Sequence, residues 1–92
     1  MKRVDLDRLI TIVNKRLSQP STQWTKTEGS LVANIGHYFL EYAYSGYQLL
    51  QISNVHGGVH VVSSGHIPRR DMAIYLRGMI DGIDELEGYI TK

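Results

Sequence analysis

The chain reads as an α+β domain of order α-β-β-β-α: a three-stranded antiparallel meander packed with an N-terminal and a C-terminal helix. Three observations carry that reading. Two Tyr-rich alternating runs, Ile35 to Tyr44 and Tyr47 to Asn54, flank Ser45-Gly46, and a two-residue loop with Gly is a strong local hairpin signal. Val55-His56-Gly57-Gly58 then supplies two residues that adopt positive φ without a Cβ penalty, ahead of the β-branched run Val59 to Val62. Apolar residues recur at helical spacing on both sides of this block.

The first helix follows from Leu6, Leu9, Ile10, Val13 and Leu17, which fall on one face. Asp5 is its expected N-cap, Val4 and Leu9 form a hydrophobic staple, and Lys15 and Arg16 suit the negative end of the helix dipole. Pro20 disfavours α geometry at Gln19 and ends it. From Ser21 to Asn34 only Trp24 is a large aromatic, so we expect a loop with a short edge strand, Trp24 capping the core, and Leu31-Val32-Ala33 leading into the first long strand.

After the sheet, Ser63 to Pro68 turns the chain into a second helix, with Pro68 at the first helical position where no amide donor is needed. Met72, Tyr75, Leu76, Met79, Ile80 and Ile83 then recur at intervals of three and four. Gly78 and Gly82 lie on one flank of this helix and suggest a close neighbour there, while Glu85 to Lys92 is expected to fray.

Pairing across Ser45-Gly46 divides the sheet residues between two faces, because successive side chains alternate. One face carries Phe39, Ala43, Leu50, Ile52, Val59 and Val61. The other carries Tyr38, Leu40, Tyr42, Tyr44, Tyr47, Leu49, His60 and Val62. Both are apolar enough to need cover. We place the helices on the Phe39, Leu50, Ile52 and Val61 face, since phenol hydroxyls are easier to satisfy at a wet interface; the opposite arrangement satisfies the alternation equally. Tyr38, Tyr42, Tyr44 and Tyr47 then form a partner or self-association surface, and a two-fold homodimer is the expected way to cover it.

Ninety-two residues make one domain, spanning residues 1–92, with only roughly 60 to 65% of its unfolded surface removed on folding, so dimerisation would help. No cysteine is present, which excludes disulfides, thiolate metal sites and thiol nucleophiles. The start of the chain turns acidic where a signal peptide turns apolar, and no apolar run reaches the ~18 residues of a membrane span. A soluble cytoplasmic protein with no membrane association is expected. Ten basic and nine acidic side chains give a formal charge of +1, far from the basic excess of a protein that binds nucleic acid mainly through phosphates.

Ala33-Asn34-Ile35-Gly36-His37-Tyr38, Ala43-Tyr44-Ser45-Gly46-Tyr47, Asn54-Val55-His56-Gly57-Gly58-Val59 and Gly65-His66-Ile67-Pro68-Arg69-Arg70-Asp71 resemble small phage- and prophage-encoded proteins of unknown function, over about residues 33 to 83. The resemblance implies a genomic context and an accessory role on a host protein, with no activity attached.

Residue chemistry adds little to that. His56, His60 and His66 gather around the second turn, but they have no adjacent acidic ligand and His56 and His60 are separated by Gly-Gly, so no metal or other cofactor is expected. Ser63 and Ser64 lie near His66 without a nucleophile elbow or a placed carboxylate. Gly57-Gly58 leads to a strand and not to the helix start a phosphate loop needs. Arg69 and Arg70 at the second helix start, with His66, form a candidate anion or nucleic-acid contact. The reading is a non-enzymatic accessory protein that binds or inhibits a host protein; the alternative is a small nucleic-acid-binding module using Arg69, Arg70 and the sheet tyrosines, though His37 to Ser64 contains no Lys or Arg.

Overall fold

The computed structural model describes residues 6–63 and 65–90, with side chains as far as Ile83. The capping roles of Val4 and Asp5 therefore lie outside the described residues. The chain forms helix α1 (Leu6–Arg16), strands β1 (Trp24–Thr27), β2 (Ser30–Ala33), β3 (Tyr38–Ala43), β4 (Gly46–Ile52) and β5 (Val59–Val61), and helix α2 (Arg69–Ile90). This is an α+β fold with the meander β3-β4-β5 between two helices. The backbone of α2 is helical to Ile90, and Thr91 and Lys92, the last residues of the segment expected to fray, lie outside the described residues.

The segment expected to be a loop is a separate hairpin. Trp24 pairs with Ala33 and Thr27 with Ser30 around Glu28-Gly29, both at positive φ (41° and 83°). Glycine adopts that geometry freely and glutamate does not, which hides the turn from a propensity argument. A tight turn then separates β2 from β3, closed by the His37 N–H on the Asn34 carbonyl at 3.2 Å with Gly36 at φ 97°. Leu31 to Ala33 thus ends its own hairpin and does not run on into β3.

The meander is present with a corrected turn. The register pairs Ala43 with Gly46 and Tyr42 with Tyr47, so the loop is Tyr44-Ser45, at φ 51° and 59°, and not Ser45-Gly46. Two consecutive residues at positive φ are the mark of the hairpin turn whose twist matches the strands. Relative to pairing across Ser45-Gly46, the register moves by two residues. Because side chains repeat every two, both faces keep their members. β5 joins β4 as expected, with Leu50 opposite Val61 and Ile52 opposite Val59.

Cover of the faces is the larger correction. Leu49 lies fully buried in one cluster with Leu6 and Val13 of α1 and Met72, Ala73 and Leu76 of α2, and Tyr38, Leu40, Tyr47 and Val62 pack around it. Both helices therefore sit on the tyrosine-bearing face. The phenols do not need a wet interface, because the tyrosines there lie beside a leucine and valine patch, and Tyr47 finds a polar partner: an Arg69 terminal nitrogen donates to its hydroxyl at 3.3 Å. Its ring can then be buried without stranding the oxygen. On the opposite face Leu50 and Ile52 are buried, while Val59 and Val61 are exposed.

Gly78 and Gly82 have open space, not a close neighbour, beside them among the described residues. With Leu17, Met79 and Ile83 they line a shallow apolar depression of about 290 Å³. Among the described residues no helix is long and apolar enough to cross a membrane.

Candidate interaction surface

The chain's path beyond β5 builds the end of the sheet where the candidate residues meet. Ser63, buried, breaks the ladder: its Oγ accepts from the Leu49 N–H at 2.9 Å, where continued pairing would have presented a main-chain carbonyl. The chain then returns to β4 at Ile67, which exchanges two short main-chain hydrogen bonds with Tyr47, at 2.7 and 2.8 Å. Such an irregular residue in an outer strand re-aims the chain. Here it brings His66 back to the sheet and starts α2 against the first residues of β4.

Gly46 permits this approach. A Cβ at that position would lie 3.0 Å from the Ile67 carbonyl oxygen and 3.1 Å from the His66 carbonyl carbon. At the other end of the meander Gly57, at φ 91°, lies under the Trp24 ring, whose nearest carbon would be 2.8 Å from an added Cβ. Trp24 thus ties the first hairpin to the turn before β5 and stays 41% exposed, a partial cap and not a buried one.

The four tyrosines do not form one surface. Tyr38 and Tyr47 are half-buried against the helices, whereas Tyr42 is 64% and Tyr44 91% exposed. Tyr42 and Tyr47 meet with ring centroids 4.9 Å apart and tilted by 57°. Tyr44 meets His66 edge-on at 5.3 Å. The face expected to be free is therefore half used in the core, and of its tyrosines Tyr42 and Tyr44, at the hairpin tip, remain exposed.

Polar groups frame that tip. His66 Nε2 lies 3.1 Å from a Glu41 carboxylate oxygen; since a carboxylate only accepts, Nε2 carries the hydrogen. The Arg69 guanidinium carbon stands 6.0 Å from the centre of the Tyr47 ring, within cation–π range, and Arg70 is exposed one residue on. His66, Arg69 and Arg70 are thus brought to the same end as the tyrosine pair, with His66 and Arg69 engaged with groups of the chain itself. Ser63 is turned to Leu49 and His66 to Glu41, so those two do not face each other, and Ser64 lies outside the described residues.

His37 was not singled out by the sequence. It is buried, stacks on Phe39 at 6.3 Å, and its Nδ1 donates to the Pro20 carbonyl at 2.8 Å, tying the connection after α1 to the start of β3. Among the described residues no three His, Asp or Glu side chains are grouped to hold a metal ion. Comparison of the chain with family models, with curated proteins and with solved structures finds no match to any of them.

Proposed function

We propose that this chain is a non-enzymatic interaction protein that binds another protein through the tip of the β3–β4 hairpin, with Tyr44 and Tyr42 as anchors and Glu41, His66 and Arg70 as the polar rim. The observation that supports this most is Tyr44. It holds a left-handed backbone conformation that a bulky side chain adopts only against about 1 kcal/mol or more, and it leaves its ring 91% exposed. Among the described residues the ring meets only the edge of His66, so folding gains little from its exposure, and an interface would gain more. Aromatic anchors surrounded by polar groups are what protein-binding hot spots are made of. The resemblance to phage-encoded accessory proteins adds that the partner is a bacterial host protein.

The test is affinity capture from a bacterial lysate with the wild-type chain and with Tyr42→Ser, Tyr44→Ser. A partner retained by wild type and lost by the double variant supports the reading. Equal retention by both removes the hairpin tip from it.

A second reading rests on Arg69 and Arg70 starting α2 beside these rings: a small nucleic-acid-binding module in which Tyr42 and Tyr44 stack bases and the arginines meet phosphate. A labelled oligonucleotide would then bind with an affinity that falls steeply with salt, and Arg70→Ala would flatten the slope. Absence of binding at low salt excludes it.

A further inference from the structure

We propose that a second copy of this chain pairs antiparallel with the outer edge of β5, about a two-fold axis through His60, joining two meanders into one six-stranded sheet. The surface is separate from the hairpin tip and does not depend on the function proposed for it.

β4 and β5 bond through Leu49 and Val62 and through Ser53 and Gly58, with Gln51 opposite His60 between them. In an antiparallel ladder the bonded positions alternate, so His60 turns its N–H and carbonyl inward to β4 while Val59 and Val61 turn theirs outward. β5 is the last strand of its sheet, and among the described residues nothing engages those outward groups. The other edge is treated differently. There the outward groups of Tyr38 are both taken by the buried side chain of Asn14, so α1 closes the start of β3.

The identity of the occupant follows from the edge itself. Val59-His60-Val61 reads the same in both directions, so two antiparallel copies centred on His60 set each Val59 opposite the partner copy's Val61. Both pairs are of the bonded type, and four N–H to carbonyl bonds form. The valines, 44% and 50% exposed in the single chain, come together as a four-residue apolar cluster on the face away from the helices. Charge does not oppose the approach, because between His37 and Ser64 the only fully charged residue is Glu41, on β3 at the far side of the sheet. An open, uncharged, apolar edge is a template for another strand, and proteins that remain single block it with lysine, proline or a bulge. The Ser63 irregularity comes only after Val61.

Sedimentation and amide exchange on the full chain test this. The wild type is expected to dimerise reversibly at micromolar concentration, and the Val59 and Val61 amides are expected to gain exchange protection as concentration rises, whereas the His60 amide is protected throughout. Val61→Pro removes an outward donor that takes no part in the bonds to β4, and Val59→Lys with Val61→Lys sets lysine opposite lysine. Each is expected to sediment as a monomer with a wild-type circular dichroism spectrum. A wild-type monomer across this range overturns the proposal, as does a dimer in which Val59 and Val61 exchange independently of concentration. A dimer that survives the double lysine variant overturns it equally.

Discussion

Asn14 holds the main chain of Tyr38 as a neighbouring strand would: its Nδ2 donates to the Tyr38 carbonyl at 3.0 Å, and its Oδ1 accepts from the Tyr38 N–H at 2.8 Å. An amide side chain presents a donor and an acceptor in the same geometry as a peptide group, so one residue of α1 both docks the helix and ends the edge of β3. Asn14 is buried within the apolar stripe of that helix.

Its removal should therefore expose a larger deficit than a surface hydrogen bond. Asn14→Leu keeps the volume but leaves a partly buried N–H and carbonyl without partners, at about 1 to 3 kcal/mol for each such group. A loss of about 2 to 4 kcal/mol in urea unfolding is expected, with the far-ultraviolet spectrum of the native state kept. A change under about 0.5 kcal/mol would mean that water replaces the amide and that the clamp is not structural.

The two faces of the sheet should answer truncation unequally. Leu49→Ala opens a cavity between β4 and both helices and is expected to cost about 3 to 5 kcal/mol, in the range of fully buried leucines. Val61→Ala removes less area from a half-exposed site, and a loss below about 1 kcal/mol is expected from the isolated chain. Chemical denaturation at a concentration where the chain is monomeric measures both. Equal losses would contradict the placement of the helices over Leu49.

How much of this was legible differs by kind of residue. The helical stripe from Leu6 to Leu17, the start of α2 after Pro68 and the two-face division of the strands all follow from periodicity, and the faces survived a wrong turn assignment because a two-residue shift preserves side. What periodicity does not encode is which of two apolar faces receives the helices. The helices pack on Leu49, and the burial of Tyr47 beside it is accompanied by Arg69 reaching its hydroxyl, a contact 22 residues apart in the chain. The roles of Asn14 and His37 are not legible in the sequence for the same reason: their partners, Tyr38 and Pro20, are distant along the chain, and a lone polar residue among apolar ones carries no signal of what satisfies it. The first hairpin was hidden by Glu28 in a conformation that its residue type disfavours.

Turn chemistry gives a stabilising substitution. Tyr44 and Ser45 occupy both central positions of a two-residue hairpin turn at positive φ, where Asn-Gly is the preferred pair. Tyr44→Asn with Ser45→Gly should relieve the backbone of both residues while removing only the edge contact of Tyr44 with His66. A gain of about 1 kcal/mol is expected, read as a rise in the thermal midpoint. If the same variant also loses the captured partner, stability and binding are opposed at one residue, as the proposed function requires. A fall in stability would show that the ring of Tyr44 supports the native hairpin.

Gly46 supplies the converse case. Added bulk there would meet backbone, the Ile67 carbonyl oxygen and the His66 carbonyl carbon, at 3.0 and 3.1 Å, and backbone does not swing aside as a side-chain tip does. Gly46→Ala must therefore push the 66–67 segment away from β4 and strain the paired bonds between Tyr47 and Ile67, which anchor the entry to α2. Overpacking of this kind costs about 1 to 3 kcal/mol, whereas Gly65→Ala, at a position with nothing within 4 Å, meets only the conformational strain of its φ of 64°. The two variants separate by amide exchange: Gly46→Ala should lower the protection of the Tyr47 and Ile67 amides relative to Leu50, and Gly65→Ala should leave that ratio near wild type. Unchanged protection at Tyr47 and Ile67 in Gly46→Ala would mean that the junction between β4 and α2 has room for a methyl group.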